Sequence, residues 1–152
     1  MTVRANWKAA VFAGLVAAIV SLIVETPLVW LIHGESPWPA ARMAAAMVLG
    51  PRVLSPLANF DPGVVVVATL IHFALSVGYG SLLALFRGRA GLVGASVAGV
   101  SFGLVLYFVN RHAIAPFWCP WFAELRTGLT VFSHLVFGAA LGVSYVVLRG
   151  RV

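Results

Sequence analysis

The sequence contains very little charge. Only 9% of its 152 residues are Asp, Glu, Lys or Arg, whereas 62% are apolar. A soluble domain carries about 25% charged residues, so this chain cannot cover its surface with polar groups in water. We therefore predict an integral membrane protein.

Cysteine and acidic residues are also scarce. The single cysteine, Cys119, excludes an internal disulfide bond and a cysteine-based metal site. The net charge of +6 comes from basic residues at the ends of apolar segments rather than in one patch, so we expect membrane lipid and not nucleic acid as the partner. The sequence has no nucleophile elbow and no phosphate-binding loop. A non-enzyme is favoured over an enzyme.

Four apolar segments have the ~20 residues that a membrane-spanning helix needs. They lie at about 9–32, 64–86, 90–109 and 127–148, with outer loops at 33–63 and 110–126. We predict one all-α membrane domain over residues 1–152, with its four helices in a bundle. A very short connection that contains Gly88 and Arg89 joins the second and third segments, which predicts a tight antiparallel hairpin. A short helix over Ala40 to Leu49 is expected on the membrane surface.

The basic residues also predict an orientation. An even number of spans places both termini on one side, together with six of the ten basic residues. By the positive-inside rule this side is the cytoplasm, so we expect a multi-pass protein of the bacterial inner membrane.

The two halves of the chain contain the same motifs in the same order. In each half a Pro-Trp pair is followed by a membrane histidine and then by Arg-Gly-Arg, which begins at Arg87 in the first half and at Arg149 in the second. This predicts a two-fold internal repeat of a helix-loop-helix unit, of the parallel kind.

Three ionisable groups lie inside the apolar segments. His72 and His134 each stand fifteen residues before an Arg-Gly-Arg, and Glu25 stands seventeen residues after Lys8. With a helical rise of ~1.5 Å per residue, all three lie ~22–26 Å from the face that the basic residues mark. Such groups are costly in a bilayer interior and usually have a partner or a function.

Small residues recur four apart along each predicted helix, which places them on one face. We expect these stripes to point inward and allow close packing, whereas Phe12, Leu22, Phe102 and Phe132 point outward. The inward stripes are Ala13, Ala17, Ser21 and Glu25; His72, Ser76, Gly80 and Ala84; Gly91, Ala95, Gly99 and Gly103; and His134, Gly138 and Gly142.

Four readings of these ionisable groups remain open. His72 and His134 could be the axial ligands of haem b. Glu25, His72 and His134 together could hold non-haem iron or another divalent metal. The three groups could pass protons or cations, or they could only link neighbouring helices by hydrogen bonds.

The two membrane histidines lie within short sequence motifs. Thr69 to Gly80 includes His72-Phe73 and Gly78-Tyr79, and Pro120 to Gly138 includes Pro120-Trp121-Phe122 and Ser133-His134. Over these two stretches the chain resembles the YagU-like bacterial inner-membrane proteins. The resemblance implies a bacterial inner-membrane protein in which both histidines are of interest. It does not imply a reaction.

The function expected from the sequence is that of a small non-catalytic membrane protein. We expect an accessory subunit or assembly partner of a larger membrane complex, such as a respiratory one, or a protein that associates with itself. Its Glu/His/His cluster would bind haem b or a metal, or make a polar contact. The alternative is a small proton-coupled transporter that works as an oligomer, and a quinone oxidoreductase is a weaker third possibility.

Overall fold

The computed structural model describes residues 5–56, 59–85, 91–125 and 127–151. Within these ranges the chain is helical and has no strand. Four stretches are long and apolar enough to cross a membrane, as predicted: Trp7–Ile32, Pro62–Leu85, Leu92–Trp118 and Gly128–Leu148. The chain is therefore an all-α protein with the helices of a multi-pass membrane protein.

The described elements are six α-helices, two 3₁₀ turns and one π-helix. In chain order they are α1 (Trp7–His33), α2 (Trp38–Leu49), a 3₁₀ turn (Pro51–Leu54), α3 (Pro62–Leu85), α4 (Leu92–Phe108), a π-helix (Val109–Ile114), α5 (Ala115–Trp118), a second 3₁₀ turn (Pro120–Glu124) and α6 (Thr127–Leu148).

Local sequence explains where α1 and α3 begin and where α1 ends. The Asn6 side chain accepts a hydrogen bond from the Ala9 amide at 3.1 Å, which caps the start of α1. Gly34 ends α1 with a φ of 66°, a left-handed conformation that glycine adopts without strain. The Asp61 carboxylate accepts from the Val64 amide at 3.1 Å and so caps α3.

The long helices pack in a definite order. Helix α4 packs along α6, α6 along α1, and α1 along α3. Although α3 and α4 are consecutive, their described residues make little contact. The predicted turn at Gly88 and Arg89 lies outside the described residues, but the helices on either side of it do not pair as the predicted tight hairpin would. Each has a better partner, because its small residues face α1 or α6.

Glycines set the closest approaches between helices. A Cβ added to Gly80 would collide with the Ala10 carbonyl oxygen, and one added to Gly142 would collide with the Ala95 carbonyl oxygen. The predicted inward stripes are confirmed at their small residues, which are buried in all four helices; Gly91 is the exception and is exposed. Close backbone contact between small residues is a usual basis of helix association in membranes.

All four long helices contribute to one apolar core. Its buried residues come from α1, α4 and α6, and the partly buried Tyr79 and Leu83 add α3. The outward prediction is right for Phe12, Leu22 and Phe132, which are exposed. It is wrong for Phe102, which packs against the core because this face of α4 lies on the side that meets α6. The buried residues are Ala13, Ala17, Leu106, Phe137 and Leu141.

Helix α2 packs on the first turns of α3. Its Ala45 is buried with Val64 and Ala68 of α3, so one face of this short helix meets protein rather than lipid. The Arg42 side chain is also buried, and it donates to the carbonyl oxygens of Val53 at 2.7 Å and Asn59 at 2.9 Å. The predicted helix is therefore present, and it packs against α3.

The predicted second outer loop is largely helical. The helix predicted to end at Val109 continues through the π-helix and α5 to Trp118. Arg111 donates to the carbonyl oxygens of Phe122 at 2.6 Å and Ala123 at 3.1 Å, which satisfies a charge that sequence alone would assign to solvent. The Trp121 indole donates to the Met43 carbonyl oxygen at 3.0 Å and joins this segment to α2.

Candidate functional site

His72 links α3 to α1. Its Nε2 lies 3.2 Å from the Ala18 carbonyl oxygen and 3.4 Å from the Ser21 hydroxyl. A carbonyl oxygen can only accept, so we assign the ring proton to Nε2, which donates to Ala18. The Ser21 hydroxyl donates to the same carbonyl at 3.0 Å. His72 therefore acts as a polar contact between two packed helices.

His134 belongs to a longer network that joins three elements. Its Nδ1 lies 2.8 Å from the Thr130 carbonyl oxygen, which places the ring proton on Nδ1. Its Nε2 lies 3.4 Å from Nδ2 of Asn110, and Asn110 Oδ1 accepts from the Tyr79 hydroxyl at 3.1 Å. With a neutral imidazole, Nδ1 donates to Thr130 and Nε2 accepts from Asn110. The Tyr107 ring also meets His134 edge-on, with ring centroids 5.7 Å apart.

Glu25 lies at a third interface, between α1 and α6. It is half-buried and faces Ser133, the residue before His134. The Ser133 hydroxyl is fully enclosed and has no hydrogen-bond partner among the described residues, so the two groups approach without reaching hydrogen-bonding geometry. Glu25 and Ser133 thus bring two polar groups to the interface of α1 and α6.

These three groups do not form a preassembled metal site. Among the residues that the structure describes, no three His, Cys, Asp or Glu side chains lie close enough together to hold a metal ion. The physical reason is that groups at the same depth in the membrane can lie at different helix interfaces. His72 bonds across α1 and α3, His134 bonds toward the π-helix, and Glu25 faces Ser133.

The hydrogen bonds of the two histidines also do not fit a bis-histidine haem. An axial histidine presents a nitrogen lone pair to iron and usually donates through its other nitrogen. His134 has the required proton on Nδ1, but its Nε2 already faces Asn110. His72 has its Nε2 proton directed at Ala18. The sequence leaves haem ligation by His72 and His134 open, but these hydrogen bonds argue against it, and we derive no chemistry from it.

The sequence analysis missed Tyr79 and Asn110 as site residues. Asn110 was assigned to a loop because the polar run Asn-Arg-His follows an apolar segment. The signal that could have found it is an amide immediately after a spanning segment that ends in Tyr-Phe-Val. The π-helix Val109–Ile114 then turns this amide inward, and such turns are frequent at functional sites.

Comparison with known proteins adds no identity to this site. No protein-family model, no curated protein and no solved structure matches the chain. The resemblance to YagU-like proteins therefore depends on the sequence motifs alone, and the functional argument depends on the geometry.

Proposed function

We propose that the protein is a non-catalytic subunit or assembly partner within a larger complex of the bacterial inner membrane. The observation that carries this proposal is a set of small residues that face away from the core. Ala74 and Gly78 are exposed on α3, and Gly94 and Ala98 are exposed on α4, each pair four residues apart. Inside the chain the same spacing of small residues occurs where α1 meets α3 and where α4 meets α6.

The surroundings of these pairs support the proposal. A Cβ added to Gly78 would meet nothing within 4 Å, so a neighbouring helix has room to approach there. Small-xxx-small pairs on membrane helices favour close association with another helix, whereas lipid chains gain nothing from them. The two histidines are engaged in contacts within the chain and do not form an exposed reactive centre.

The internal repeat belongs to the same proposal. His72 and Gly80 in α3 stand 62 residues before His134 and Gly142 in α6. Gly80 packs against Gly14, and Gly142 packs against Gly99 in the same way. Gly99 lies 85 positions after Gly14. That second offset also relates Glu25 to Asn110. These correspondences support descent from a duplicated two-helix unit. The proposal also places both termini in the cytoplasm, because more basic residues lie on their side of the membrane.

Purification of the intact complex tests this function. In mild detergent we expect the 16.1 kDa chain to run in a discrete assembly with other membrane subunits in fixed stoichiometry, measured by native mass spectrometry. Gly78→Leu and Ala98→Leu should each release the chain from that assembly, because a bulky side chain blocks close helix approach. Val93→Leu is the matched control, since Val93 is already large and is 80% exposed.

Two results would overturn the proposal. One is an assembly that survives both Gly78→Leu and Ala98→Leu unchanged. The other is a homogeneous homodimer that carries out proton-coupled transport after reconstitution into liposomes, which would establish the transporter alternative.

A further inference from the structure

The contact between α1 and α3 recurs at equivalent positions between α4 and α6. A Cβ added to Gly14 would collide with the Ser76 carbonyl oxygen. A Cβ added to Gly99 would collide in the same way with the Gly138 carbonyl oxygen. Equivalent residues are 85 positions apart in α1 and α4, and 62 positions apart in α3 and α6. The first unit, α1 with α3, and the second unit, α4 with α6, are therefore held together by matching contacts.

One contact between the two units has no counterpart. Helix α1 of the first unit packs along α6 of the second unit. The equivalent contact would join α4 to α3, but the described residues of these two helices make little contact. Two units related by a closed two-fold axis would form both contacts. The chain forms only one of them, so it leaves a face of α4 and a face of α3 open.

Burial identifies the open face of α4. The positions of α1 and α4 that contact their own unit are buried in both helices. Ala13 of α1 is fully buried in the apolar core with Leu141 of α6. The equivalent of Ala13 in α4 is Ala98, which is exposed. Burial is thus lost on α4 at a position that meets the other unit in α1.

The matching open face lies on α3. Phe137 of α6 is 7% exposed and belongs to the same core cluster as Ala13, whereas its equivalent in α3, Leu75, is 41% exposed. Ala140 of α6 packs against this core, whereas its equivalent in α3, Gly78, is exposed. The open faces of α3 and α4 are therefore the two halves of a second interface of the kind that joins α1 and α6.

We propose that a second copy of this chain covers these faces, so that α4 of one copy packs along α3 of the next. The contact continues the interface that α1 and α6 already form within the chain. Gly78 lies seven residues before the end of α3 and Ala98 six residues after the start of α4, so both are ~9–11 Å from those ends. Small residues at matching depth permit close helix approach.

The two faces lie on different helices, so the proposed contact is heterologous. Copies joined in this way leave no open face only when they close into a ring. The two units of one chain do not close by themselves, because α3 and α4 make little contact in their described residues. At least one further copy is therefore needed. This inference rests on the proposed subunit function and names one partner in that assembly.

Disulfide cross-linking between two differently tagged copies tests the proposal. In a Cys119→Ser background, one copy carries Ala98→Cys and the other carries Gly78→Cys. Both positions are exposed, so neither substitution should disturb the fold. After oxidation in native membranes we expect a linked dimer that carries both tags, because close helix contact brings the two Cα atoms within the ~4.4–6.8 Å that a disulfide needs. Either variant expressed alone should give no linked dimer.

Val97→Cys is the matched control for Ala98→Cys. Val97 is 62% exposed, and its equivalent in α1, Phe12, is 51% exposed. This neighbouring position therefore points away from the rest of the chain in both units. Its cross-linking to Gly78→Cys should be at least about tenfold weaker than that of Ala98→Cys, since a disulfide does not form when the two Cβ atoms point apart.

Three outcomes would overturn the second copy as the partner. Cross-links of Ala98→Cys with itself and of Gly78→Cys with itself would mean that like faces meet. Equal cross-linking by Val97→Cys would mean random collision in the membrane. Absence of any cross-link, in a chain that still runs with other subunits, would mean that one of those subunits covers the faces; the proposed subunit function would then stand alone. The expected cross-link in an assembly of this chain only would support the second copy and contradict a complex with other subunits.

Discussion

The Asn110 side-chain nitrogen lies 3.4 Å from His134 Nε2, and the same amide accepts from the Tyr79 hydroxyl at 3.1 Å. Asn110 lies in the π-helix, and its side chain therefore links Tyr79 of α3 to His134 of α6. Within an apolar bundle these groups have few alternative partners, so losing one leaves the others unsatisfied.

The first prediction concerns this junction. Asn110→Leu should lower the free energy of unfolding by about 1–3 kcal/mol, because the Tyr79 hydroxyl and His134 Nε2 lose their partner. Equilibrium unfolding in mixed micelles measures the loss. Ser96→Ala is the control, since Ser96 donates only to the Leu92 carbonyl of its own helix, and its effect should stay within about 0.5 kcal/mol. Equal stability of the two variants would show that the junction contributes nothing.

The second prediction concerns helix contact. Gly99→Leu should destabilise the protein by about 1–3 kcal/mol or more, because its new Cβ would collide with the Gly138 carbonyl oxygen. Gly78→Leu adds the same side chain where nothing lies within 4 Å, so the isolated chain should keep its stability. The same unfolding measurement compares them. Similar losses in both variants would contradict the packing explanation, since Leu has a higher helix propensity than Gly at either position.

Helical periodicity was sufficient to predict the packing faces, and this part of the fold was accessible from sequence. Small residues four apart can only lie on one face, and the buried Ser76, Gly80, Gly99 and Gly138 confirm it. Periodicity could not predict which helices meet, because a small face suits any partner with another small face. In the structure α3 packs against α1 and α4 packs against α6, so these two consecutive helices do not pair with each other.

The candidate site was predicted only as a set of residues at one depth. Depth follows from rise per residue, whereas the interface at which each side chain lies depends on helix rotation and order. Asn110 could not be predicted for a different reason. A π-helix changes the angular spacing of residues, so a fixed helical period does not predict which way the Asn110 side chain points. Sequence could not predict the partners of Arg111 either, because they are carbonyl groups eleven and twelve residues away.

The third prediction concerns the single thiol. Cys119 is buried, and burial raises the pKa of this thiol above its usual value. At pH 8 less of it is thiolate, the reactive form, and access is restricted, so alkylation by maleimide should be about tenfold slower than at an introduced Ser36→Cys. The rate should rise sharply on denaturation in SDS. Equal rates in native membranes would contradict the burial of Cys119.

The fourth prediction concerns orientation. In a Cys119→Ser background, Ser36→Cys should react with a membrane-impermeant reagent added to intact cells, whereas Arg151→Cys should react only after the cells are opened. The reason is the excess of basic residues on the side of the termini. Labelling of position 151 in intact cells would reverse the orientation, and labelling of both positions would contradict an even number of spans.

The last prediction concerns the ionisable groups themselves. Because His72 Nε2 donates to Ala18 and His134 Nε2 faces Asn110, we expect the purified protein to show no b-type absorption band and no stoichiometric metal. His134→Ala should cost about 1–3 kcal/mol of unfolding free energy, because the Asn110 side-chain nitrogen loses its acceptor. His72→Ala should cost less, since Ser21 still donates to the Ala18 carbonyl. Glu25→Gln should be nearly neutral for stability, because Glu25 and Ser133 do not reach hydrogen-bonding geometry. A reduced b-type band that disappears in both histidine variants would refute this assignment and establish haem ligation. Bound metal that decreases in all three variants, without any haem band, would establish the metal site instead.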